Sequence, residues 1–79
     1  MSLRASVKEA LRVHGIDAAA DDDPAALRER LNDVYLEEVR VLRTRQRSGE
    51  IPLREYATHV DALKNRFPLL SLRLPEWSD

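Results

Sequence analysis

Five apolar residues, Leu53, Tyr56, Val60, Leu63 and Phe67, recur at alternating three- and four-residue spacings. At about 100° per residue they share one face of a helix. That helix is predicted over 52–67, because Phe67 precedes Pro68 and the residue before a proline is pushed out of the helical region. Upstream, Leu27, Leu31, Val34, Tyr35, Val39, Val41 and Leu42 fall within an arc of about 160°, with Leu36 just outside it. This predicts a longer helix over 24–48. The Gly49–Pro52 break separates the two, so their stripes can face each other in an antiparallel hairpin. The arc of the longer helix is wider than one partner helix needs, which leaves room for a first helix or a second copy.

A shorter helix is predicted over 2–14. Leu3, Val7, Ala10 and Leu11 lie on one face, and Arg4, Lys8 and Arg12 on another. Gly15 fits the left-handed position after its end, with Ile16 reaching back toward Leu11 as in a Schellman stop. Its apolar face is small and carries no aromatic residue, so packing on the hairpin explains it better than a membrane-surface role. Asp23 before Pro24 marks the start of the long helix, the carboxylate accepting from free N–H groups where proline lacks a donor. Residues 17–23 form an acidic connection whose Asp21, Asp22 and Asp23 are read as capping and dipole partners, since the spacing is not that of a calcium loop and no bidentate glutamate follows.

The segment 68–79 behaves differently. Leu70, Leu72 and Leu74 alternate between Pro68 and Pro75, and Trp77 follows. A period of two predicts an extended tail rather than a fourth helix. Its apolar content leaves two fates: folding back to complete the core, or docking in a groove or along a strand edge of a neighbour. The expected fold is therefore all-α, a single small three-helix domain built on an antiparallel hairpin with an extended apolar tail.

Size and composition narrow the means of support. A chain of 79 residues buries only about 60% of its unfolded surface. It has no cysteine, which removes disulfides, thiolate metal sites and thiol nucleophiles together. Two histidines in different helices do not make a zinc site, so a partner or self-association is the remaining support. The net charge of −1 implies no polyanionic or polycationic partner. No apolar run approaches the roughly 18 residues that cross a bilayer, and no secretory signal is read, so a cytoplasmic location is expected. Arginine and alanine richness suits a GC-rich bacterial or phage genome.

Candidate chemistry is sparse. His59 follows Glu55 by one turn, but no nucleophile or second carboxylate accompanies the pair. His14 ends the first helix, where partial positive charge suits the dipole. Glu37-Glu38 lacks the Glu-x-x-His of carboxylate metal sites and reads as a solvated face. Glycine occurs only at 15 and 49, both at helix ends, so there is no phosphate loop. No catalytic residue, metal site, cofactor or small-molecule ligand is expected, and the chain is not read as an enzyme. Arg40, Arg43 and Arg47, extended by Arg54, form a basic patch that suggests phosphate binding and a nucleic-acid-associated regulator as the alternative function. Against it stand the acidic stretch upstream and the lack of an interleaved aromatic for base stacking.

Leu36-x-x-Val39-x-x-Leu42, then Ser48-Gly49-Glu50-Ile51-Pro52-Leu53-Arg54-Glu55-Tyr56, then Leu63, resembles the short C-terminal helical hairpin called the SHOCT domain. The resemblance covers residues 36–67. It departs at Pro52, where that family usually has threonine or serine, and at Val60, where lysine is common. It implies an accessory interaction or oligomerisation module without catalytic residues. The expected function is non-catalytic protein–protein interaction, as a homo-oligomer or a small accessory subunit. The residues expected to carry it are Tyr35, Val39 and Leu42 on the hairpin and Leu70, Leu72, Leu74 and Trp77 in the tail.

Overall fold

Two glycine stops and one aspartate cap divide the chain into three helices: α1 (Ala5–Val13), α2 (Pro24–Arg47) and α3 (Leu53–Asn65). The computed structural model describes residues 2–19 and 21–78. Ala20 of the acidic connection and Asp79 of the predicted tail lie outside the described residues, as does Met1. At the end of α1, Gly15 takes φ 78°. The Ile16 N–H donates to the Leu11 carbonyl at 3.0 Å and the Gly15 N–H to that of Arg12 at 2.9 Å. These are the two bonds of a Schellman stop, and the burial of Ile16 against the core completes it. Asp23 caps α2 as expected, its Oδ1 accepting from the Ala25 N–H at 3.1 Å.

The hairpin turn repeats the device. Gly49 takes φ 85°, and the Glu50 N–H donates to the Arg45 carbonyl at 3.0 Å. Ser48 Oγ donates to the same carbonyl at 2.9 Å, and Arg45 Nε closes the loop on Glu50 Oε2 at 3.0 Å. Ile51 is sealed beneath this turn, so the tip is ordered by its own contacts.

The tail departs from the predicted extended strand. Two short 3-10 turns, Pro68–Ser71 and Leu74–Trp77, replace it. Each carries a proline in its first turn, where the missing N–H costs nothing and the fixed φ favours a helical start. The alternation of Leu70, Leu72 and Leu74 is thus not a strand period. Among the described residues there is no strand, only an isolated antiparallel bridge between Leu3 and Ser78. There the Arg4 N–H donates to the Trp77 carbonyl at 3.0 Å. This bridge explains why the first helix starts at Ala5 rather than at residue 2. Helix three also stops short of 67, since Phe67 has left helical geometry at φ −123°, ψ 56°.

The molecule measures 47 × 17 × 16 Å, and its core occupies one end. Leu3, Val7 and Leu11 from the N-terminal segment, Leu27 and Leu31 from α2, Leu63 and Phe67 from the end of α3, and Leu69 and Trp77 from the tail form one buried cluster with Ile16. Helix one therefore supplies central core residues rather than an accessory layer. Toward the tip only the two hairpin helices remain.

Candidate functional site: the uncovered half of the hairpin

One face of α2 carries Leu27, Leu31, Val34, Glu38, Val41 and Arg45, spaced by alternating four and three residues. A helix presents such positions as a single stripe. Its first part is sealed: Leu27 is 3% exposed and Leu31 fully buried. Val41, two turns beyond Val34, is 51% exposed. The stripe continues, but its cover stops. Helix α1 is only nine residues long, and its C-cap, His14, is pinned to the end of α3. His14 Nε2 donates to the Arg66 carbonyl at 2.7 Å, and the imidazole stacks on Phe67 with centroids 4.0 Å apart. Tyr35 meets the same Phe67 ring edge-on at 5.3 Å.

Past that point the hairpin is open along a groove of about 350 Å³. Glu38, Val41, Leu42 and Arg45 of α2 form one wall, and His59, Ala62, Leu63 and the Arg66 side chain form the other. Its floor is apolar and its ends are charged. Glu38 Oε1 lies 3.6 Å from Arg66 Nη2, while its Oε2 is buried with no hydrogen-bond partner. The expectation of a solvated Glu37-Glu38 face thus holds for Glu37, which pairs with Arg40 at 3.0 Å, and not for Glu38. A buried acceptor without a donor costs about 1–3 kcal/mol, and this one is enclosed by the chain's own atoms.

The residues expected to carry interaction fall into two groups. Tyr35, Val39 and Leu42 are half-buried against the core, with Leu42 also reaching the groove. Leu70, Leu72 and Leu74 are half-buried, and Trp77 is wholly enclosed. The tail is thus core cover, held further by Arg28, whose Nη2 donates to the Leu70 carbonyl at 3.1 Å. It is not a free docking peptide. Glu38, Val41, His59 and Arg66 were not anticipated as a group. Val41 on the α2 arc was the available signal; what sequence periodicity lacks is how far the cover extends.

The arginine cluster is partly neutralised. Arg40 is held by Glu37, Arg45 by Glu50, and Arg66 by Glu38. Arg43, Arg47 and Arg54 are exposed around the tip, without an ion pair among the described residues. Among the described residues no group of three or more His, Cys, Asp or Glu side chains gathers as a metal site. No helix of the described residues is long and apolar enough to cross a membrane. Comparison with protein-family models, with curated proteins and with solved structures found no match. The SHOCT-like pattern over 36–67 therefore stands on its residues alone.

Proposed function

We propose that this chain is a non-catalytic protein–protein interaction module, a self-associating protein or a small accessory subunit acting in the cytoplasm. Its working surface is the uncovered half of the hairpin. The carrying observation is the α2 stripe, buried at Leu27 and Leu31 and open at Val41 within one continuous helix. Val41, Leu42, Ala62 and Leu63 lie together in the groove, between Glu38, Arg45 and Arg66. Exposed apolar surface rimmed by charge is characteristic of interaction sites. The SHOCT-like turn at Ser48–Tyr56 supports the same role.

A photo-crosslinking residue placed at Val41 in the native cell tests this. Protein adducts are expected from position 41 and not from the exposed Arg30 near the other end of α2. Equal adduct yields at both positions, or none at 41, would contradict the proposal.

A further inference from the structure

We infer that the open half is covered by the same α2 face of a second copy, with the two α2 helices antiparallel and the twofold axis between Val41 and Leu42. This rests on the interaction-module reading and specifies its partner.

The α2 stripe is self-complementary about that axis. Glu38 and Arg45 stand one heptad apart with Val41 between them. An antiparallel pair centred between residues 41 and 42 sets Glu38 of each copy opposite Arg45 of the other and brings Val41 against Leu42. Charges at the flanks and apolar residues at the centre are what an isologous helix pair requires. A parallel pair would oppose Glu38 with Glu38 and Arg45 with Arg45, and like charges so placed disfavour that orientation.

Arg45 engages Glu50 through Nε, and its terminal nitrogens carry further N–H donors suited to the exposed part of the second copy's Glu38 side chain. The arrangement also fits lengthwise. With this axis, Gly49 of one copy lies level with Val34 of the other, just short of Leu31, where the core begins. The partner's tip thus ends where each copy's own cover starts. Two half-hairpins then complete a four-helix layer that neither has alone.

Sedimentation velocity on the full chain tests the register through charge exchange. The wild type is expected to show a monomer–dimer equilibrium in the micromolar range. Glu38→Arg and Arg45→Glu should each weaken the homodimer about tenfold or more. Mixed in equal amounts, these two variants should associate with each other in preference to themselves, because every charge then meets its opposite. The doubly exchanged protein should associate as the wild type does. Because Glu38 and Arg45 also pair within the chain, helix content is checked for each variant.

A second measurement avoids the charges. In a chain without cysteine, Val41→Cys should form an intermolecular disulfide far faster than Leu53→Cys, whose site is the more exposed. A wild type that stays monomeric at all concentrations overturns the inference, as does a charge-exchanged mixture without preference or equal crosslinking at 41 and 53. If the wild type is monomeric while position 41 crosslinks to a different protein in the cell, the second copy is excluded and the interaction module stands.

Discussion

Replacing Trp77 by alanine should remove much of the stability of this protein, although the residue lies two positions from the end of the chain. The side chain is fully enclosed beside the Leu3–Ser78 bridge. A buried tryptophan removes about 150–250 Å² from water, which at about 25 cal/mol per Å² is worth about 4–6 kcal/mol. Its Nε1–H is buried without an acceptor, a cost of about 1–3 kcal/mol that the indole carries in the native state. The difference leaves a net loss of about 3 kcal/mol for Trp77→Ala. A chain of this length is expected to have about 4–12 kcal/mol in total. The midpoint of thermal unfolding, followed by far-ultraviolet circular dichroism, should fall by about 12–25 °C. Trp77→Phe should lose much less, because it keeps a ring in place and removes the orphaned donor. Trp77 is also the sole tryptophan, so native fluorescence should be blue-shifted and should move red as the protein unfolds. A midpoint for Trp77→Ala within about 3 °C of wild type, or solvent-like native emission, would refute the enclosure of the tail.

Other substitutions probe other joints of the fold. Leu11→Ala should cost about 2–5 kcal/mol in chemical denaturation, and deletion of residues 1–14 should abolish cooperative melting, since Val7 and Leu11 are central to the core. His14→Ala removes both the bond to the Arg66 carbonyl and the stack on Phe67, with an expected loss of about 1–2 kcal/mol by the same assay. Gly49→Ala should cost about 1–2 kcal/mol through its left-handed backbone alone, because an added Cβ there meets no atom within 4 Å; a neutral result would show that the turn relaxes. Leu53→Ser should leave thermal stability within about 0.5 kcal/mol of wild type, as expected for a side chain 73% exposed.

Local chemistry was legible in the sequence wherever a residue acts on its own neighbours. Asp23-Pro24, Gly15-Ile16 and Ser48-Gly49 each mark a helix end through bonds of at most five residues' reach, and the structure places all three where they were read. The hairpin and the all-α class follow from the spacing of the apolar stripes. The tail was misread because Leu70, Leu72 and Leu74 alternate by coincidence, while Pro68 and Pro75 have the same helix-starting role as Pro24. The pairing of Leu3 with Ser78 spans nearly the whole chain and leaves no local signature. The ladder Leu53, Tyr56, Val60, Leu63 and Phe67 looked uniform, yet only Leu63 and Phe67 are buried. Periodicity identifies the face that wants cover; the length of α1 and the path of the tail decide which part receives it.

Amide hydrogen exchange along α2, measured from dilute to concentrated protein, tests the central claim most directly. In dilute solution, amides near Leu27 and Leu31 should exchange slowly, and those from Glu38 to Arg45 markedly faster, because the core covers only the first part of the stripe. As concentration rises, protection should grow from Glu38 to Arg45 and remain unchanged around Leu31. Uniformly slow exchange along all of α2 at the lowest concentration would contradict a half-covered helix, and open-half amides indifferent to concentration would contradict its closure by a second copy.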